Sequence, residues 1–111
     1  MNNQIVNNLT YHKNLLSRLV QEGVIEEVTA DNEALAERLV ITSAVELSEE
    51  DVERIVRLVV QKLAHPLKQI VTNLNTKLIS GVRAQSESFY FEISGQKTLR
   101  DIKRLINESF S

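Results

Sequence analysis

Hydrophobic residues recur at helical spacing near the start of the chain. Between Gln4 and Glu22 the main apolar positions are three, four or seven residues apart, and they form the stripe Ile5, Leu9, Leu16 and Leu19. Gly23 follows at the position where helices often end in a left-handed residue, with Val24 or Ile25 as its apolar partner. The pattern predicts one amphipathic helix that ends at Gly23. His12 lies in a gap of the stripe, and we expect its side chain to pack at a partly solvated edge of the helix. The alternative is that His12 is a pH-sensitive group between partner helices.

The pattern changes to that of a strand followed by a helix. Residues 31–38 predict a short helical piece with Glu33 and Glu37 on its solvent side, and residues 39–45 mix β-branched and small residues as buried strands do. Ser48 and Asp51 have the spacing of a capping box. They predict the start of a helix that ends near Ala64, with an apolar face made of Val52, Ile55, Val56, Val59, Val60 and Leu63.

Three more strands and a last helix complete the pattern. The predicted strands span residues 67–74, 78–85 and 89–93, and a tight turn at residues 86–88 joins the last two. Thr98 and Asp101 predict the capped start of a helix that reaches Phe110. The sequence therefore predicts an α+β fold: a small β-sheet in β-α-β-β-β-α order, packed by amphipathic helices and preceded by an N-terminal helix. Residues 1–38 would be an N-terminal helical segment and residues 39–111 an α+β domain.

Composition narrows the class of protein. The 111 residues are 42% hydrophobic and 25% charged, which is typical of a globular domain with one core. Cysteine is absent, so disulfides and thiolate metal sites are excluded. No apolar run reaches the roughly 18 residues that span a bilayer, and the first residues lack the basic region of a signal peptide, so we expect a cytoplasmic protein without direct membrane insertion.

Candidate chemistry is sparse. The chain has two histidines and no nucleophile elbow, zinc-protease motif or glycine-rich phosphate loop, which predicts a non-enzyme without cofactor or metal. An acidic cluster is better explained by charges at a helix N-terminus than by a cation site: Glu46, Glu49, Glu50, Asp51 and Glu53. The net charge of −2 and the absence of a G-x-x-G loop disfavour nucleic-acid binding, although Phe89 and Phe91, which share a face with Ile93, would stack on bases if they faced solvent. We expect these three to pack in the core.

Two segments carry a family resemblance. Residues 41–51, I-T-S-A-V-E-L-S-E-E-D, resemble the pattern V-T-S-A-x-P-L-S-E-E-Q of the delta subunit of the F-type ATP synthase, the oligomycin-sensitivity-conferring protein family. Residues 78–82, L-I-S-G-V, resemble its L-I-G-G-V. The resemblance covers roughly residues 39–106 and concerns the family's C-terminal domain.

The resemblance implies a non-catalytic connector of the peripheral stalk, or stator, which holds the stalk to the catalytic head and so supports proton-driven ATP synthesis. The implied partner is the stalk b subunit, and the complex would keep the chain peripherally associated with the membrane. In the family, an N-terminal helical domain contacts the catalytic head, and these residues lack that domain, so this contact stays open. Self-association stays open as well. We expect the partner surface to comprise Ile5, Leu9, Leu16, Leu19 and Phe110. The alternative is a free-standing interaction or regulatory module of the same fold.

Overall fold

The described part of the chain forms one mixed β-sheet with two α-helices. A computed structural model describes residues 8–77 and 81–93. The described part confirms the predicted α+β class, and a 3-10 turn at Glu33–Leu35 precedes the second strand. In chain order the elements are β1 (Asn8–Tyr11), α1 (Lys13–Gln21), β2 (Glu37–Ser43), α2 (Glu49–Val60), β3 (Leu67–Leu74), β4 (Val82–Gln85) and β5 (Tyr90–Ile93).

The five strands lie in the order β1-β3-β2-β4-β5. β2 and β3 are parallel, with Leu39 paired to Ile70, and α2 supplies the long crossover that parallel neighbours require. The other three pairs are antiparallel, and the predicted turn at residues 86–88 joins β4 to β5 as a hairpin. β1 and β5 are therefore the two edge strands of the sheet.

Both helices pack on the same face of the sheet. Leu39 and Ile41 point to this face together with Ile70 of β3 and Ala84 of β4, because paired residues share a face. Leu15 and Leu19 of α1 meet the same cluster, and α2 supplies its apolar side: Val52, Ile55, Val56 and Val59. Phe89 and Phe91 pack against this core as predicted, while Tyr90 is 56% exposed.

Local capping signals are confirmed at both helices. Ser48 Oγ accepts the N–H of Asp51, and the Asp51 carboxylate accepts the N–H of Ser48, which is the predicted capping box of α2. Gly23 has a φ of 77°, in the left-handed region, and its N–H donates to the carbonyl of Val20. The N–H of Val24 donates to the carbonyl of Leu19, so α1 ends in a Schellman motif with Val24 folded back on the core.

The start of the chain differs from the prediction. The helix expected from Gln4 to Glu22 is wrong at residues 8–11, which form β1, and α1 begins only at Lys13. β1 pairs with the second half of β3, and this pairing outweighs a helical spacing of apolar residues that is weak over so short a segment. β1 and α1 belong to the same sheet and core as the later elements, so a boundary after residue 38 does not separate two folding units.

Other boundaries also move. β2 begins at Glu37, inside the predicted helical piece, of which only the turn Glu33–Leu35 remains. α2 ends at Val60, before the predicted Ala64, and the N–H of Lys62 closes a turn on the carbonyl of Val59. The predicted last helix and the first residues of the predicted strand 78–85 lie outside the described residues.

Candidate functional site

The predicted partner surface is only partly present as a surface. Leu19 is fully buried in the core, so it stabilises this chain and is not available to a partner. Leu9 lies on β1, paired with Asn73, and so does not continue the stripe of α1. Leu16 is half-buried and lines a groove. Ile5 and Phe110 lie outside the described residues.

The groove at Leu16 runs between α1 and the beginning of β3, and we call it the α1–β3 groove. It consists of two depressions of about 200 and 410 Å³ that share Lys13, Leu16 and Lys68 in their walls. Tyr11, His12, Gln69 and Ile70 complete the first depression, and Ser17, Val20, Gln21, Glu27, Val28 and Leu67 complete the second. Apolar side chains with polar edges are the usual form of a protein-binding surface.

The groove exists because β1 is shorter than β3. β1 pairs only with residues 71–74 of β3, and the chain then turns away at His12, whose N–H donates to the carbonyl of Ile70. Lys68 lies two residues before Ile70, so its backbone groups point to the same side of β3, beyond the end of β1. Among the described residues, no strand therefore pairs with this edge of the first half of β3, which lies beside α1.

His12 lies between β1 and α1 and is half-buried, as expected from the sequence. Its Nε2 atom hydrogen bonds with Thr72 Oγ1 at 2.9 Å. Burial lowers the pKa of His12, and the negative charge of Glu49 partly offsets this effect. The neutral ring is thus favoured, and it fixes the turn into α1 against the sheet.

A buried carboxylate at Glu37 was not predicted from the sequence. The side chain was expected on a solvent-exposed helical face, but the residue begins β2 and is only 2% exposed. Its carboxylate accepts hydrogen bonds from Ser86 Oγ at 2.6 Å, from Ser88 Oγ at 2.5 Å and from the Ser88 N–H at 3.0 Å. His65 Nδ1 lies 2.6 Å from Oε2 of Glu37, the oxygen that also accepts from Ser88 Oγ. Alternation with Leu39 and Ile41 was the available signal, since Glu37 has the same parity as these inward-facing residues.

Glu37 connects two loops of the protein to β2 and is a poor candidate for catalysis. Burial alone would raise the pKa of Glu37, but the hydrogen bonds from Ser86, Ser88 and His65 outweigh it and lower the pKa to about 2. Such a carboxylate is a weak base near neutral pH. A nucleophilic serine needs a histidine next to its hydroxyl, whereas here both serines and His65 converge on the glutamate. The arrangement braces the β4–β5 turn and the loop before β3 against β2.

An ion network joins the exposed sides of α1 and α2. The Arg57 guanidinium lies 2.7 Å from a carboxylate oxygen of Glu22 and 2.7 Å from one of Glu53, and Arg18 also pairs with Glu53. Hydrogen bonds to Glu22 and Glu53 raise the pKa of Arg57, and the hydrogen bond from Arg57 lowers the pKa of Glu53. The network links the two helices on their solvent-exposed sides.

The described residues contain neither a metal-binding cluster of side chains nor a membrane-spanning helix. Residues 8–77 and 81–93 bring no three histidine or acidic side chains together in a grouping that would hold a metal ion. Within the same ranges, neither helix has the length and apolar character that crossing a bilayer requires. At the start of α2, Asp51 is taken up by the capping box.

The described fold is that of a small α+β domain with a mixed five-stranded sheet and both helices on one face. Comparison of the chain with protein-family models, curated proteins and solved structures gives no match.

Proposed function

We propose that this chain is a non-catalytic peripheral-stalk connector of an F-type ATP synthase. The observation that supports this proposal is the contact between the two segments that resemble the delta subunit. Ser43 of the first segment pairs with Val82 of the second across β2 and β4, and the N–H of Ala44 donates to the carbonyl of Gly81 at 3.0 Å. The described end of the second segment, Gly81 and Val82, therefore lies in direct contact with the first segment.

Gly81, Ser43 and Ser48 in these two segments each have a physical role. Gly81 adopts a φ of 98°, which a side chain would disfavour, and its carbonyl meets the chain as it leaves β2. Ser43 is 2% exposed, so a small side chain suits the crowded end of the strand. Ser48 then starts α2 through the capping box. The passage from strand to helix depends on the residues on which the resemblance rests.

A stator connector needs a rigid body with a surface for the stalk. The Glu37 hydrogen bonds tie the loops at one end of the sheet, and the Arg57 network ties the two helices together. The α1–β3 groove offers apolar side chains beside a strand edge that β1 leaves uncovered. We propose that helices of the stalk b subunit dock in this groove and that the chain associates with the membrane only through the assembled synthase.

Native mass spectrometry of the chain with the soluble part of the b subunit tests the proposal. We expect a complex at about 50 µM or below, within the range of weak but specific association. Leu16→Asp should abolish it, because a carboxylate would replace an apolar side chain in the wall of the groove. Leu35→Asp is the matched control, since Leu35 is 58% exposed on the 3-10 turn and outside the groove.

Circular dichroism of both variants must show an intact fold for this comparison to be valid. Absence of any complex with the wild-type chain at about 50 µM would overturn the stator proposal. The alternative would then be a free-standing interaction module of the same fold. If the wild-type chain and Leu16→Asp bound the b subunit equally, the connector function would stand, and the α1–β3 groove would be excluded as the contact surface.

A further inference from the structure

The α1–β3 groove carries a charge pattern that selects its partner. Its walls contain apolar side chains, with Leu16 and Val20 one helical turn apart on α1 and with Val28 and Leu67 in the same lining. Lys13 and Lys68 flank these side chains and both are exposed, whereas Glu27 in the wall of the second depression carries the opposite charge, so positive charge is in excess. Among the described residues neither lysine pairs with a carboxylate, whereas Arg18 and Arg57 are both engaged in ion pairs.

The position of the lysines follows from the fold. Lys13 is the first residue of α1, immediately after β1 ends, and Lys68 is the second residue of β3, on the strand edge that β1 leaves uncovered. The sheet and the helix thus bring two positive charges, 55 positions apart in the sequence, to the wall of one groove. This charge is local, since the whole chain has a net charge of −2. A negatively charged partner would therefore be oriented at this groove.

The segments of this chain outside the described residues offer the groove no excess of carboxylates. Residues 94–111 contain four basic and two acidic side chains, and residues 1–7 contain no charged side chain. A basic segment would place its own positive charges against Lys13 and Lys68, which is unfavourable. The charges favour an occupant from another chain that carries an excess of carboxylates.

We infer that the α1–β3 groove binds an acidic amphipathic helix of a partner protein, with carboxylates on Lys13 and Lys68 and apolar side chains on Leu16 and Val20. This inference rests on the proposed function, for which it specifies the chemistry of the stalk segment that docks. A helix suits the groove because its apolar residues, three and four positions apart, form a ridge that matches the spacing of Leu16 and Val20.

The test combines charge reversal with chemical-shift mapping, and its probe is the soluble part of the stalk b subunit. The double variant Lys13→Glu and Lys68→Glu should raise Kd about tenfold at about 100 mM salt, because repulsion replaces attraction at two exposed pairs. The difference should shrink at about 500 mM salt, where screening is strong. Lys77→Glu is the control: it makes the same kind of charge change on an exposed residue beyond the far end of β3.

Amide signals in the wild-type chain locate the contact independently of any variant. We expect the largest shifts at Lys13, Leu16, Val20 and Lys68 on addition of the b fragment. Binding that shifts other surfaces, or that the double variant retains at full strength, would overturn this inference and leave the connector function standing. Absence of binding by the wild-type chain would overturn both. A lysine-sensitive dimer of the chain alone would show that a second copy occupies the groove, which also contradicts the inference.

Discussion

Replacement of Glu37 by glutamine should cost a large part of the stability of this protein. The carboxylate is 2% exposed and accepts four hydrogen bonds from Ser86, Ser88 and His65. A pKa lowered from 4.5 to about 2 corresponds to about 3 kcal/mol of folding free energy at neutral pH, since each tenfold change in acidity is about 1.4 kcal/mol. Glutamine keeps the shape of the side chain but turns two acceptor oxygens into one acceptor and one donor.

The pH dependence has a definite sign. A lowered pKa means that the folded state binds its proton less readily than the unfolded state, so the stabilisation by Glu37 is complete above about pH 4.5 and is lost as the pH falls towards about 2. Urea unfolding from pH 7 to pH 2 should therefore show a difference of about 3 kcal/mol between wild type and Glu37→Gln at pH 7. That difference should shrink towards zero near pH 2, with similar m-values for the two proteins.

The control for this experiment is Glu26→Gln, which removes one negative charge from an exposed position. It should change the free energy of unfolding by less than about 0.5 kcal/mol at pH 7. The reasoning would be refuted if Glu37→Gln cost less than about 1 kcal/mol at pH 7, or if its deficit were the same at pH 3 and pH 7.

Three further substitutions test the helices, each by urea unfolding at pH 7. Gly23→Ala should lower the free energy of unfolding by about 1 kcal/mol through left-handed backbone strain alone, because an added Cβ meets no atom within 4 Å. Gly23→Asn should lower it by less, since asparagine tolerates this conformation better, and equal losses in the two variants would contradict the explanation. Ser48→Ala should cost about 1 kcal/mol by removing the capping hydrogen bond of α2, whereas Ser48→Asp should retain most of it. Leu19→Ala should cost about 2–5 kcal/mol, and a loss below 1 kcal/mol would contradict its place in the core.

The sequence alone determined the features that depend on neighbouring residues. The α+β class, the capping box at Ser48, the glycine end of α1 and the full extent of β3 were all predicted correctly, because local hydrogen bonds and the alternation of side chains decide them. For the candidate site, the same local pattern singled out Leu16, which lines the α1–β3 groove.

Only the tertiary structure decided the contacts between residues that are far apart in the sequence. β1 is a strand because it gains a partner in β3, although the spacing of its apolar residues also fits a helix. Glu37 is buried because donors about 50 positions away satisfy its charge, and no local pattern encodes such a partner. Leu16 and Leu19 belong to one predicted stripe, yet the sheet buries one and leaves the other in the wall of a groove. Pairing and burial are long-range, so residues equivalent in the sequence receive different environments and different roles.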